Sequence, residues 1–254
     1  MKKISSTFII VFAVIGGFFL YISQNHTTPI FMYHSLDRNN IENCSAVEKD
    51  TFYEQMRQIK KFGYRVIGLE EYCKFLKEGN PVPKKSLILT FDDGYKDNIE
   101  AIKILEEFNY PATIFIIYNK IGNDGYLSKD DISLFLKKTK IIIGSHTINH
   151  FYLPYLKDFY VKKEIFESKQ KLSNLFEQDI NIISYPIGGF NKAVLEEVEN
   201  SGYLCACSTN RGFSKSIDRF SLRRIKITDR DLGLRLKVKL SGFYNVFRKV
   251  RNPF

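Results

Sequence analysis

Short apolar runs alternate with amphipathic stretches over most of the 254-residue chain. The runs are rich in β-branched and aromatic residues, which predicts strands over 30–34, 86–90, 112–117, 141–143, 182–185, 203–207 and 220–227. Between them apolar positions recur at helical spacing, which predicts helices over 49–61, 69–77, 97–108, 128–137, 158–176 and 192–200, and a final one from near Asp229.

This alternation predicts one α/β domain with a parallel sheet. Residues 86–90 are apolar at almost every position, which is typical of a strand buried on both faces. A barrel of about seven parallel strands is the most economical arrangement of these elements. No strand is followed by G-x-G-x-x-G or by a P-loop, which disfavours a nucleotide-binding doubly wound sheet.

The N-terminal region has a different pattern. Lys2 and Lys3 precede an uncharged apolar run over 8–22, and no A-x-A cleavage pattern follows it. We expect residues 1–28 to be an uncleaved signal anchor with a linker, and residues 29–254 to form the folded domain. The lysines predict a cytoplasmic N-terminus and a domain that is anchored outside the cytoplasm, or secreted if the segment is cleaved.

Charge and cysteine content say little about binding partners and about the state of the cysteines. The net charge of +10 would favour anionic lipid or an acidic polymer, but a solvated charged face is the simpler interpretation. No nucleic-acid-binding motif is present, and we expect no nucleic acid partner.

The four cysteines, Cys44, Cys73, Cys205 and Cys207, form no C-x-x-C pair. Buried free thiols are expected, with a Cys44–Cys73 disulfide as the alternative outside the cytosol.

Two polar strings each follow a predicted strand: T-F-D-D-G-Y at 90–95, the aspartate motif, and G-S-H-T-I-N-H at 144–150, the histidine motif. Because the carboxyl ends of parallel strands meet at one face of a barrel, we expect both motifs there. His34 and the Tyr185-Pro186 turn should lie at the same face. Taken singly, the motifs have simpler interpretations, a turn for the aspartates and a capping or core pair for the histidines.

Together the two motifs could bind a divalent metal. His146 and His150 are four residues apart, so both rings would point the same way if the segment enters a helical turn after Gly144. With one carboxylate they leave coordination positions open, as catalytic zinc sites require. The second carboxylate is then available as a base, and the pattern fits either Asp92 or Asp93 in that role.

The two motifs resemble the first two motifs of the polysaccharide deacetylase family, which is carbohydrate esterase family four or the NodB-homology domain. Y-P-I-G-G-F-N at 185–191 resembles its third motif. The resemblance implies a distorted (β/α) barrel that hydrolyses N-acetyl groups on sugars with a divalent metal, usually zinc. By position it implies Asp92 as general base, Asp93, His146 and His150 as metal ligands, and Tyr95, Tyr185 and Pro186 as substrate contacts.

The chain departs from the family pattern in its third motif. Ser184 stands where the family has an arginine that braces the base. Arg224 is the expected replacement, and Arg223 is the alternative. At position 187 the family has an aromatic residue whose backbone N–H binds the oxyanion. Because a backbone donor survives a change of side chain, we expect Ile187 to keep that catalytic role.

A second departure concerns the general acid. The family's late leucine-x-histidine motif is missing, since no histidine follows His150. His34, in M-Y-H-S-L at 32–36, is the expected acid, because the first and last strands of a closed barrel are neighbours; a buried structural role is the alternative. This segment and L-R-R-I at 222–225 resemble the subgroup that deacetylates exported poly-β-1,6-N-acetylglucosamine.

The expected function is metal-dependent N-deacetylation of an exported polysaccharide that contains N-acetylhexosamine. The expected enzyme is a monomer that contacts the membrane through its N-terminal segment. Peptidoglycan, chitin-like oligomers or a lipid-linked sugar are alternative substrates. A catalytically inactive carbohydrate-binding component of an export complex is the alternative from another functional class.

Overall fold

A computed structural model describes residues 27–37, 46–211 and 217–242, together with Gly17 and Tyr244. Its strands are β1 Ile30–Tyr33, β2 Arg65–Val66, β3 Ser86–Phe91, β4 Ala112–Ile116, β5 Ile141–Ser145, β6 Ile182–Ser184, β7 Cys205–Cys207 and β8 Ile225–Lys226. Every strand pairing is parallel, in the order β7-β6-β5-β4-β3-β1-β8, and β2 pairs with β3. The parallel α/β prediction is therefore confirmed, although the short β2 was not expected.

The last predicted strand divides its pairing between two neighbours. Leu222 forms a parallel bridge with Cys207 of β7, whereas Ile225 pairs with Phe31 of β1. The segment therefore connects the two ends of the sheet and closes the barrel. Only Ile225–Lys226 is a regular strand, because the chain changes partners just before it.

The helices pack around this sheet. They are α1 Lys49–Lys61, α2 Leu69–Glu78, α3 Asn98–Phe108, α4 Lys129–Lys138, α5 Asp158–Lys162, α6 Ser168–Phe176, α7 Lys192–Asn200 and α8 Leu234–Leu240. A π-helical turn at Lys163–Glu167 connects α5 to α6 within the single helix that the sequence predicts over 158–176. Single-turn 3₁₀ segments lie at Tyr118–Lys120, Leu153–Tyr155 and Pro186–Gly188.

Helix α2 contributes to the interior of the barrel. Its buried Leu69, Tyr72 and Cys73 belong to one apolar cluster with inward-facing side chains of β1, β3, β4, β6 and β7. Cys73 forms a disulfide with Cys205 of β7, with a Cα–Cα distance of 6.2 Å. Cys207 is a buried free thiol. We expected free thiols at Cys73 and Cys205, with a Cys44–Cys73 disulfide as the alternative. Both expectations are corrected, because α2 brings Cys73 against β7.

The predicted anchor over 1–28 lies outside the described residues, apart from Gly17, Thr27 and Thr28, and so does Cys44. Among the helices that are described, none has the length and apolar character needed to cross a membrane.

Candidate active site

The aspartate motif leaves the carboxyl end of β3 in a sharp turn. The Asp92 N–H donates to the Tyr33 carbonyl at 3.0 Å, which keeps the turn against β1. Asp93 and Gly94 have left-handed backbones, each with φ of 74°. Glycine suits position 94 because a residue with a Cβ would be strained at this φ. The turn directs the two neighbouring carboxylates to different partners.

The histidine motif follows β5 and brings two imidazoles to Asp93. The Asp93 Oδ1 lies 3.4 Å from His146 Nε2 and 3.5 Å from His150 Nε2. Thr147 and His150 adopt left-handed backbones with φ of 67° and 62°. Such conformations are costly in non-glycine residues and are concentrated at functional sites. The structure therefore brings together the three predicted ligands.

The geometry of this trio fits a divalent metal. One ligand atom from each of Asp93, His146 and His150 lies within 4.8 Å of the others. A tetrahedral ion with bonds of about 2.1 Å separates its ligand atoms by about 3.4 Å, close to both carboxylate–imidazole distances. The Nδ1 of His146 lies 2.8 Å from the Ser184 carbonyl, which can accept only from an Nδ1–H. That contact leaves the Nε2 lone pair available to a metal.

The two histidines differ in proton affinity. Burial disfavours protonation of His146, but Asp92 and Asp93 outweigh it, and the pKa of His146 is above its ordinary value. Burial and the neighbouring His146 lower the pKa of His150 to about 4. His150 is therefore neutral at pH 7, as a metal ligand must be, while His146 is the histidine for which protons compete with a metal.

Asp92 forms a buried ion pair with Arg224. Arg224 Nη1 and Nη2 donate to the two carboxylate oxygens at 2.6 and 2.7 Å. The same guanidinium donates to the hydroxyls of Ser184 at 2.8 Å and Thr90 at 3.2 Å, and to the Ser208 carbonyl at 3.0 Å. Burial alone would raise the pKa of Asp92, but Arg224 and His146 hold it well below its usual range. Arg224 thus contacts both carboxylate oxygens of Asp92, with the small Ser184 beside it, and its role as the brace stays a prediction.

His34 lies next to Asp92 because Tyr33 and Phe91 are paired in register at the ends of β1 and β3. The buried Asn98 donates from Nδ2 to the His34 carbonyl at 2.7 Å, which fixes this part of the backbone. Burial lowers the pKa of His34, whereas the negative charges of Asp92 and Asp93 act in the opposite direction. The Nδ1 of His34 is buried and has no hydrogen-bond partner among the described residues. The imidazole is thus within electrostatic reach of both aspartates.

The third motif exposes Ile187 on a strained turn. Ile187 has φ of 58° and ψ of 2°, and its side chain is 63% exposed. A left-handed backbone is a clear outlier for a β-branched residue. The Ile187 carbonyl accepts from Thr209 Oγ1 at 3.0 Å, which stabilises the turn. Ile187 and Arg224 line one cavity of about 410 Å³, and Asp92 is not among its lining residues.

The three predicted substrate contacts differ in their placement. The ring of the partly exposed Tyr95 stacks on Tyr126 with centroids 5.3 Å apart. Tyr185 is fully buried and donates its hydroxyl to the Phe220 carbonyl at 2.9 Å. Pro186 is also buried. The expectation that Tyr185 and Pro186 contact a sugar is thus corrected for both side chains, because they pack in the core beneath the Ile187 turn.

A buried glutamate that the sequence analysis does not identify, Glu164, supports the site. Glu164 is buried in the π-helical turn, and its carboxylate accepts the backbone N–H groups of Ile148 and Asn149 at 2.9 Å each. The sequence could have indicated this residue, because Glu164 falls between Val161 and Ile165 on the apolar face of a predicted helix. A charged residue on such a face needs buried partners.

The chain is similar to proteins of one known family. A model of the polysaccharide deacetylase family matches residues 79–206. YxkH of Bacillus subtilis (strain 168), which bears a polysaccharide deacetylase name, is 32% identical over 202 residues, 79% of this chain and 71% of that protein. A poly-β-1,6-N-acetyl-D-glucosamine N-deacetylase of Staphylococcus aureus (strain MSSA476) is 25% identical over 78% of this chain and 73% of its own length.

A solved structure shares the architecture. The Streptococcus pyogenes deacetylase PplD, determined in complex with acetate, superposes with a TM-score of 0.77 at 27% identity. The match covers 84% of this chain and 97% of that one. The similarity therefore extends over nearly the whole of that structure.

Proposed function

The chain belongs to the polysaccharide deacetylase family, whose members act on N-acetyl groups, and from this premise we propose a specific substrate and mechanism. The proposed substrate is an exported polysaccharide that contains N-acetylhexosamine, such as poly-β-1,6-N-acetylglucosamine. Similarity to the Staphylococcus aureus enzyme over 78% of this chain supports that choice. The proposed cofactor is a divalent metal, preferably zinc, held by Asp93, His146 and His150.

One observation carries the proposal. A metal-ligand trio, a carboxylate braced by a buried arginine and a histidine next to that carboxylate all meet at the carboxyl end of one parallel barrel. This is the face at which barrel enzymes perform their chemistry. A carbohydrate-binding protein without catalytic activity would not require Asp92 to be held ionised by Arg224 in a buried setting.

A bound divalent metal would polarise the acetyl carbonyl and lower the pKa of water. The residues of the chain perform the remaining tasks. Asp92 is ionised because Arg224 keeps its pKa low, and it accepts the proton of the attacking water. The Ile187 backbone N–H, presented by its strained turn, donates to the developing oxyanion.

His34 completes the reaction as the general acid. Cleavage of the C–N bond leaves an amine, which is a poor leaving group unless it is protonated. His34 donates that proton from beside Asp92, and acetate and the free amine of the sugar are released. Asn98 holds the His34 backbone in place. The proposed acid and base follow the paired strands β1 and β3, and therefore lie side by side.

We further propose that the enzyme acts outside the cytoplasm as a monomer, with residues 1–28 as its membrane anchor. The Cys73–Cys205 disulfide supports export, because such bonds persist in oxidising compartments. The described ligands, base and acid all come from one chain, which supports the monomer. N-terminal sequencing of the membrane fraction tests the anchor, and a mature chain that starts near residue 24 would contradict it.

The substrate is tested by amine release from a panel of polymers. Full-length enzyme loaded with zinc is incubated with poly-β-1,6-N-acetylglucosamine, peptidoglycan, a chitin oligomer and a lipid-linked N-acetylhexosamine. We expect the fastest deacetylation on the first polymer. Activity confined to the lipid-linked sugar would overturn the proposed substrate, and sugar binding without metal or turnover would favour a binding protein.

A further inference from the structure

Glu164 connects the helix after the histidine motif to the motif itself. The residue lies in the π-helical turn Lys163–Glu167 and is 3% exposed. Its Oε2 accepts from the Ile148 and Asn149 N–H groups, each at 2.9 Å, and its Oε1 accepts from Asn149 Nδ2 at 2.6 Å. All three donors come from the two residues between Thr147 and the ligand His150. π-helical turns within α-helices are frequent at functional sites.

The same helix also contacts the start of the histidine motif. Ser168 lies one turn after Glu164, and its Oγ is 2.8 Å from the Oγ of Ser145. Ser145 directly precedes the proposed ligand His146. The Ser145 Oγ in turn accepts from the Thr147 N–H at 3.1 Å. The loop between the ligands is therefore fixed at two points, by a hydroxyl before His146 and by a carboxylate before His150.

The conformation of this loop needs such support. Thr147 and His150 both have positive φ, which an unsupported chain of L-residues rarely adopts. A short segment held in this way keeps the two imidazoles at the separation at which both face Asp93. Loss of the carboxylate would leave two loop N–H groups buried without a charged acceptor.

We propose that Glu164 is a positioning residue for the metal site, acting through the backbone of the loop rather than on the metal. The inference rests on the proposed metal site and assigns the π-helical turn the task of setting ligand geometry. Outer-shell partners of metal ligands are typically worth about 10- to 100-fold in metal affinity. Glu164 reaches the ligands through N–H groups, and so its effect should appear in metal binding before any substrate is added.

The test compares zinc affinities of full-length chains stripped of metal, by competition with a chromophoric chelator. Glu164→Gln keeps the size of the side chain but turns one oxygen into a donor that faces Asn149 Nδ2. We expect zinc affinity to fall at least about tenfold. Glu167→Gln is the matched control, because Glu167 lies one turn away, is 39% exposed and pairs with Lys171. Its zinc affinity should equal that of the wild type.

A reciprocal exchange tests the pairing itself. In the Glu164→Gln/Asn149→Asp double variant the new amide can donate to the new carboxylate, so the hydrogen bond returns with its direction reversed. The new carboxylate can still accept from Asn119 Nδ2, which lies 2.7 Å from the side-chain oxygen of Asn149 in the wild type. We expect most of the lost zinc affinity to return. Should Glu164→Gln not fold, Asn149→Ala removes one of the three donors and should weaken zinc binding about threefold.

The outcomes separate this inference from the proposed function. Unchanged zinc affinity in Glu164→Gln, with or without a lower melting temperature of the metal-free protein, would overturn the positioning role alone. An equal loss in Glu167→Gln, or no recovery in the double variant, would also overturn it. A wild-type protein that binds no zinc would overturn the metal site and this inference together.

Discussion

Arg224 and Asp92 lie 132 positions apart in the chain and form a two-point ion pair inside the barrel. Arg224 is 1% exposed and Asp92 is 2% exposed. The partners are adjacent because Arg224 lies where the chain passes from β7 to β1 and closes the barrel. Closure of the barrel therefore supplies the charge that keeps the base ionised.

Removal of Arg224 should change the pH dependence of catalysis. In Arg224→Met the buried Asp92 loses its cation, so its pKa rises, because burial disfavours the ionised carboxylate. Asp92 works only when ionised, so activity should disappear at low pH and return as pH rises through the new pKa. We expect kcat/KM at pH 7 to fall about 100-fold. The measurement is a pH profile of kcat/KM.

Arg223→Met is the control for that profile. Arg223 is the neighbouring arginine, and it makes none of the hydrogen bonds to Asp92 described above. Its profile should match that of the wild type. Arg224→Lys keeps a charge but lacks the planar fork, and should give an intermediate profile. A wild-type profile in Arg224→Met would show that the ion pair does not set the state of the base.

Replacement of His34 should impair proton donation without loss of metal. The contribution of His34 is present below its pKa and is lost as pH rises through it, and burial lowers that pKa. His34→Gln should lower kcat about 100-fold on N-acetyl substrates and remove this basic limb of the profile. Zinc content should be unchanged. An aryl acetate, whose leaving group needs little protonation, should remain a substrate of the variant.

Two results would contradict the role of His34. Full activity of His34→Gln on N-acetylated sugars would exclude it as the acid. Loss of zinc from the variant would instead place His34 in the metal site.

Zinc binding should weaken as the solution becomes acidic. A ligand histidine binds metal only when neutral, and the pKa of His146 is above its ordinary value. Zinc affinity should therefore begin to fall close to neutral pH, by about tenfold per unit once His146 is protonated. Asp92→Asn removes a carboxylate that raises this pKa, so the fall should begin at a lower pH. Chelator competition between pH 5 and 8 measures both curves, and a flat wild-type curve would contradict the assignment.

The disulfide should contribute strongly to stability. Cys73 and Cys205 lie 132 positions apart in the chain, and their bond attaches α2 to β7. Loop-closure entropy assigns such a bond about 5 kcal/mol, which corresponds to about 10 to 20 °C in melting temperature for a chain of this size. Calorimetry with and without reductant measures the difference, and Cys73→Ser/Cys205→Ser should abolish the response. A wild-type melting temperature that is insensitive to reductant would contradict the stabilising role.

Much of this arrangement could be predicted from local patterns. Helices α1 Lys49–Lys61 and α7 Lys192–Asn200 have the predicted bounds, because each has a clear apolar face. The meeting of Asp93, His146 and His150 followed from the rule that active sites form at the carboxyl ends of parallel strands. Their roles, like that of Asp92, stay predictions that the experiments above address.

The rest depended on contacts between distant parts of the chain. The Cys73–Cys205 pairing requires α2 to enter the barrel, which no local pattern specifies. Tyr185 ends a predicted strand, where a binding residue is expected, yet its ring lies in the core and the turn that follows exposes Ile187. The support from Glu164 depends on a π-helical turn, and no pattern of helical spacing predicts one.

Acetate release is the most direct test of a metal-dependent N-deacetylase. Full-length wild-type enzyme, Asp93→Ala and Asp92→Asn are incubated with poly-β-1,6-N-acetylglucosamine, with zinc or with a chelator, and acetate and free amine are counted. We expect equal amounts of acetate and amine from the zinc-loaded wild type, and almost none with chelator or from either variant. Acetate release that persists at the wild-type rate in chelator or in Asp92→Asn would contradict it.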